Sequence, residues 1–194
     1  EVRREGKNFL ISYRQDGENR TLCAGIVVGA DGGNSLVRRQ FFPDTAIRQY
    51  VAVQEWYEED GQSPFYGALF DRELTDCYGW LISKNQRLVL GAAFPRKDAA
   101  RRFDLLKERL ESRGVHFGRR VRREGCIVCR PEGARQFCTG GNGVFLLGEA
   151  AGFISPSSLQ GISYALDSGA LLARALKPGL EGAEKRYNAL TAAL

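Results

Sequence analysis

Two short stretches bring a carboxylate to the end of an apolar run and surround it with glycine. They are Gly29-Ala30-Asp31-Gly32 and Leu147-Gly148-Glu149-Ala150. Each run, Gly25 to Ala30 and Val144 to Leu147, has the continuous apolar character of a strand inside a parallel sheet, which is covered on both faces. Each is followed by a segment with helical character. At the carboxyl edge of an open α/β sheet this arrangement suits a nucleotide: glycines let the backbone approach a phosphate, and a helix N-terminus offers free N–H groups to negative charge. A carboxylate there accepts hydrogen bonds from sugar-type hydroxyls. Either junction alone reads equally well as a tight turn closing an ordinary βα unit. Both together, with Pro156 and Gly161 at set distances after the second, are more specific.

The elements that must hold these junctions follow from local pattern. Val2 to Arg4, Phe9 to Tyr13 and Arg20 to Leu22, separated by Gly6 and Asp16-Gly17, predict antiparallel hairpin strands. Leu36 to Phe41 predicts a short helix capped by Ser35 or Asn34. Between Ile47 and Phe94 the pattern becomes a series of strands: Tyr50 to Tyr57, Pro64 to Phe70, Tyr78 to Ile82 and Arg87 to Phe94. Short polar turns between them, such as Lys84-Asn85-Gln86, make an antiparallel sheet. Phe103, Leu106 and Leu110 lie at helical spacing before Gly114, and Gly125 to Arg130 predicts one more strand. After Gly161 a long helix is expected, with Ile162, Ala165, Leu166, Leu172 and Leu176 on its apolar face and Pro178 as its stop. A last helix runs from Gly182 to Leu194. The fold class is therefore α/β (α+β overall), with a mainly antiparallel middle. The expected division is 1–43, 44–139 and 140–194.

The 194 residues include 43% hydrophobic and 26% charged side chains, which excludes global disorder. No apolar run approaches the ~20 residues of a membrane-spanning helix, and no signal-peptide pattern opens the chain, so a cytoplasmic location is expected. The net charge of +5 gathers in Arg101-Arg102, Arg119-Arg120 and Arg122-Arg123. Such a patch attracts nucleic acid, anionic lipid or a phosphorylated substrate. A solvated face around a helix-to-strand connection is the favoured reading; peripheral membrane contact stays open, and no nucleic-acid motif accompanies the arginines. Five cysteines suit a reducing compartment. Cys126 and Cys129 form a lone CxxC on a strand, where they point to opposite faces, so no metal site is expected.

The stretch Gly29-Ala30-Asp31-Gly32-Gly33-Asn34-Ser35-Leu36-Val37-Arg38 is similar to the GADGxxSxVR motif of flavoproteins with the para-hydroxybenzoate hydroxylase fold. Leu147 to Pro156, continuing to Gly161-Ile162, resembles their second motif, GDAAGxxxPxxGxGI. Within that group the chain resembles the geranylgeranyl reductases, whose Tyr-x-Trp-x-Phe-Pro stretch is echoed by Tyr78-Gly79-Trp80-Leu81-Ile82-Ser83. The resemblance implies a partial FAD-binding Rossmann-like domain joined to an antiparallel substrate domain. It assigns Asp31, Gly32, Gly148, Glu149, Gly152, Pro156, Gly161, Ile162 and Ser163 to the cofactor. Tyr78 and Trp80 are assigned to the substrate cavity. The N–H groups from Gly161 to Ser163 would face the flavin's pyrimidine edge and stabilise its anionic reduced form.

The chain departs from the pattern at three places: Glu149 stands for aspartate, Leu159 for glycine, and Ile82-Ser83 for Phe-Pro. The group's N-terminal GxGxxG is not in this sequence. The chain, which opens on Glu1 and contains no methionine, therefore reads as an N-terminally truncated fragment, inactive alone and binding FAD weakly or not at all. The activity implied for the parent is reduction of carbon–carbon double bonds in a small hydrophobic, isoprenoid-like substrate. NAD(P)H or another reductant would be the electron donor, and no catalytic acid is assignable. A flavin-dependent aromatic hydroxylase or halogenase is the alternative, and a non-catalytic remnant of the fold a third.

Overall fold

Short strands dominate the chain, in the order β1 (Val2–Glu5), β2 (Asn8–Gln15), β3 (Glu18–Ala24) and β4 (Val27–Gly29), then helix α1 (Leu36–Phe41). Next come β5 (Gln49–Glu58), β6 (Phe65–Leu69), β7 (Gly79–Lys84), β8 (Arg87–Pro95), helix α2 (Ala99–Glu111) and β9 (Arg120–Cys129). The chain finishes with β10 (Gly140–Gly141), β11 (Val144–Leu146), α3 (Ile162–Leu176) and α4 (Ala183–Thr191). This is a computed structural model that describes residues 1–58 and 64–194; residues 59–63 of the expected 44–139 segment lie outside the described residues. It separates into two units, Glu1–Arg48 with Cys129–Leu194, and Gln49–Val128. The class is α/β with antiparallel sheets, as the patterning predicts.

In the first unit β1, β2 and β3 form an antiparallel sheet with β2 central. Its turns place Gly6, Asp16 and Gly17 at φ of 60°, 53° and 84°, the left-handed backbone that tight hairpins require. Phe9 is the one fully buried side chain of β2 and packs with Val27 and Val144. Strands β4 and β11 pair in parallel, Val28 opposite Phe145 and Gly29 opposite Leu146. β10 flanks β11 on the other side, which leaves β4 as an edge strand among the described residues. Val28 is accordingly 41% exposed, so this strand is not covered on both faces as its apolar run predicts. Helices α3 and α4 pack on Phe145 through Leu172, Ala175, Ala183 and Tyr187. The buried stripe of α3 is Ser168, Leu172 and Ala175. Ile162 and Leu166, expected on that face, lie roughly 100° or more around the helix and are 78% and 71% exposed.

The second unit is a five-stranded antiparallel sheet of order β6-β7-β8-β5-β9. Asn85 and Gln86, at φ of 53° and 57°, form the two-residue turn joining β7 to β8. Helix α2 covers one face, seating Phe103, Leu106 and Leu110 on Val53, Leu81, Leu90 and Phe94. The arginine run follows α2 and leads into β9. It is exposed, as a solvated face should be, but Arg120, Arg122 and Arg123 lie in the first half of β9, with Arg119 just before it, and their charges are matched. Arg120 and Arg123 reach the buried carboxylate of Glu55 at 2.8 and 3.3 Å, and Arg123 also reaches Asp104 at 3.2 Å. Arg119 pairs with Glu58 at 3.0 Å, and Arg122 with Glu124. Tyr57 donates its hydroxyl to the other oxygen of Glu55; burial, with that carboxylate beside it, pushes the phenol's pKa up.

Candidate functional site

The parallel pairing of β4 with β11 sets the two glycine junctions side by side at the carboxyl ends of adjacent strands. Close packing makes this possible. A Cβ on Gly29 would meet Leu146 at 2.7 Å and Val37 at 2.8 Å. Gly148, at φ 49°, has no room for a Cβ either, because Ala165 of α3 stands 2.9 Å from where it would be. Its N–H donates to the buried hydroxyl of Ser168 at 2.9 Å. Strand end and helix are thus locked together by residues too small to hold them apart.

Asp31 lies beside its own helix. Its Oδ2 accepts from the backbone N–H of Leu36 at 2.7 Å and of Val37 at 3.2 Å, while Ser35 caps α1 by accepting from Arg38 N–H at 2.9 Å. Burial raises the Asp31 pKa, but the Ser35 hydroxyl and these N–H groups outweigh it and hold the carboxyl below its usual value. Gly32 follows at φ 73° with open space where a Cβ would stand.

Glu149 turns the other way. Its Oε1 accepts from Cys129 N–H at 2.5 Å, and its second oxygen makes no hydrogen bond among the described residues. Burial raises its pKa, moderated by that N–H and by the nearby Arg38 guanidinium. Gly152, at φ 92°, is enclosed by Gln136, Ile47 and Phe137, which stand 3.1 to 3.3 Å from its absent Cβ. The Pro156 carbonyl accepts from Arg130 Nε at 2.9 Å. Gly161 begins α3, which no side chain caps; the backbone of Ile162 and Ser163 forms the open first turn, and the Ser163 hydroxyl accepts from Gln160 at 2.6 Å. Leu159 holds φ 56°, a left-handed conformation that suits the glycine it replaces in the motif.

One residue carries more of this site than its sequence position suggests. Arg38 is 3% exposed. Its guanidinium donates to the Gly33 carbonyl at 2.7 Å, to Ala150 at 2.6 Å and to Glu149 at 3.2 Å. It ties the loop after β4 to the turn after β11. The Cys129 thiol also donates to the Gly33 carbonyl, at 3.4 Å. The motif contains this arginine, but nothing in its local spacing says that it is buried.

The second unit holds the residues expected at a substrate cavity. Trp80 lies across β8, so a Cβ on Gly91 would fall 2.2 Å from the indole. Its Nε1 donates to Gln54 Oε1 at 2.7 Å, and the Tyr78 ring is 5.9 Å away. Burial, with Tyr66 nearby, raises the Tyr78 pKa. Trp80, Gln54, Ala52, Trp56, Glu124, Gly125 and Cys126 line a cavity of about 170 Å³ on the sheet face opposite α2. Gln54 and Gly91 were not among the residues the sequence singles out. No group of His, Cys, Asp and Glu side chains among the described residues has the arrangement of a metal site. No helix among them is long and apolar enough to cross a membrane.

Comparison with known proteins locates this architecture. Protein CbrA of Escherichia coli O9:H4 (strain HS) is 46% identical over 184 residues, 95% of this chain and 50% of CbrA. Protein CbrA of Shigella flexneri serotype 5b is 47% identical over 169 residues, 87% of this chain and 46% of that protein. The chain spans about half the length of the curated relatives it matches. No family model matches it. A geranylgeranyl bacteriochlorophyll reductase-like protein from Thermoplasma acidophilum superposes with a TM-score of 0.76 at 19% identity, covering 97% of this chain and 51% of that one. The flavin-dependent halogenase CmlS gives 0.64 at 18%, over 94% and 37%. Aklavinone-11 hydroxylase, solved with FAD and aklavinone, gives 0.59 at 20%, over 90% and 36%. What these three share with the chain is the fold.

A flavin nucleotide fits the residues of the first unit. The uncapped N-terminus of α3, the open space at Gly32 and the unengaged oxygen of Glu149 offer the donors and acceptor that an oxygen-rich cofactor needs.

Proposed function

We propose that this chain supplies part of the flavin site and the substrate sheet of an FAD-dependent oxidoreductase that reduces carbon–carbon double bonds in a small hydrophobic, isoprenoid-like substrate. The observation that carries the reading is the pair of glycine junctions held side by side by Arg38, next to the open end of α3. Gly161, Ile162 and Ser163 would present N–H groups to the flavin's pyrimidine edge. The Glu149 oxygen would accept from ribityl hydroxyls, with Asp31, Gly32, Gly148 and Pro156 shaping the channel that the cofactor's chain follows. Bound FAD supplies hydride transfer. The positive end of α3 would favour negative charge on the bound group, and Trp80, with Tyr78 beside it, would shield an apolar substrate from water.

A monooxygenase or halogenase reading has the likeness to CmlS and aklavinone-11 hydroxylase in its favour. One experiment separates the two. The full-length protein is purified, its bound flavin quantified and reduced under argon, then mixed with geranylgeraniol or with oxygen. Reoxidation by the alkene without oxygen is expected, with NADH and NADPH compared as reductants. Oxygen consumption that depends on an aromatic substrate would replace this reading with the second, and a flavin-free protein would remove both.

A further inference from the structure

The cavity on the open face of the second unit has one polar group whose chemistry is fixed by its neighbour. An indole N–H only donates, so the Gln54 oxygen must face Trp80, as the 2.7 Å contact shows. The Gln54 amide nitrogen is thereby turned away from Trp80, and among the described residues it makes no hydrogen bond. Trp80 itself is held flat because Gly91 leaves no side chain beneath it. The other charges at this cavity are already matched: Glu124 pairs with Arg122, whose guanidinium also sits 5.0 Å over the Trp56 ring. What remains is a small pocket lined by Trp56, Trp80, Ala52 and Gln54, to which the Gln54 amide, anchored through its oxygen, brings two N–H donors. An apolar site with one fixed donor selects a ligand that carries an acceptor and rejects its hydrocarbon analogue, which leaves that donor unpaired.

We propose that Gln54 is a specificity-determining residue, and that this pocket takes the carbonyl end of an otherwise apolar substrate. The inference deepens the reading above that the open sheet face is a substrate surface, and rests on it. It is testable without flavin, because Trp56 and Trp80 are the only tryptophans in the chain and both line the pocket. The chain is titrated with geranylacetone and with the hydrocarbon of the same skeleton in which the carbonyl is a methylene, and tryptophan emission is followed. Saturable binding of the ketone is expected, roughly three- to tenfold tighter than of the hydrocarbon, the worth of one net hydrogen bond. Gln54→Glu retains an acceptor for the indole and loses the donors, so it should erase the discrimination while circular dichroism and the unliganded emission maximum stay unchanged. Gln54→Asn, with a shorter reach, should reduce it. Equal binding of ketone and hydrocarbon by the parent chain, no binding of either, or undiminished preference in Gln54→Glu would overturn the proposal. Flavin content and alkene reduction in the full-length protein test the functional reading separately, so each can fail alone.

Discussion

Replacing Arg38 with methionine keeps most of the side-chain volume and removes the guanidinium. Three backbone carbonyls, those of Gly33, Glu149 and Ala150, lose the guanidinium, although Gly33 keeps the Cys129 thiol and Glu149 the Gly152 N–H, and each hydrogen bond to a charged group is worth roughly 1.5–3 kcal/mol. Part of that sum is returned, since the variant no longer has to strip water from a guanidinium that is 3% exposed in the fold. The net loss should then match the breaking of other buried charged clusters, about 3–5 kcal/mol. For a chain of this length that is a fall in Tm of roughly 6–20 °C. Thermal unfolding by far-ultraviolet circular dichroism measures it, and hydrogen exchange at Glu149 to Gly152 shows whether the turn loosens. Arg38→Lys should fall between, because one ammonium cannot span three carbonyls set in a fork. An Arg38→Met protein within about 1 kcal/mol of the parent would mean that the contacts are incidental, and the tie between the two junctions would have to be abandoned.

Three other perturbations are informative. Gly91→Ala should push Trp80 off β8, shift tryptophan emission to longer wavelength and cost about 1–3 kcal/mol by overpacking; an unchanged spectrum would contradict the close approach. Leu159→Gly should raise stability by up to about 1 kcal/mol, since a left-handed leucine costs roughly 1–2 kcal/mol and glycine returns part of that in unfolded-chain entropy; calorimetry gives the sign. Glu149→Gln keeps the acceptor for Cys129 N–H and removes a carboxylate whose pKa burial raises above 4.5. A raised folded pKa contributes stability below the unfolded value and loses it as pH climbs through the folded one. The glutamine variant should therefore be the more stable protein at pH 7, with the gain shrinking toward zero below pH ~4.5, the ordinary carboxylate range; urea unfolding at both pH values decides it.

The strands and helices were legible from local pattern: the β-like run Tyr50 to Tyr57 between polar turns, the 3.6-residue spacing of Phe103, Leu106 and Leu110, the glycines at hairpin turns. The glycine junctions were legible because backbone conformation restricts residue type. What escaped depends on partners distant in sequence. Arg38 is buried only because carbonyls 111 and 112 residues away receive it. The face of α3 could not be read from apolar residues alone, since a serine occupies its buried stripe to meet Gly148 while Ile162 and Leu166 stay outside. Likewise the arginines of β9 read as solvated surface and are exposed, but their pairing with a buried carboxylate was not legible, because Glu55 lies 65 residues away from Arg120.

Those arginines also bear on one edge of the second unit's sheet. β9 is an edge strand, and an edge with open backbone groups invites another chain to join and begin a fibre. Charged side chains along an edge disfavour such pairing. A second copy adding a strand would face Arg119, Arg120, Arg122 and Arg123 with their own, or would have to unfasten them from Glu58, Glu55, Glu124 and Asp104. What reads in composition as an appetite for polyanions is, along this edge, a row of charges already matched to carboxylates.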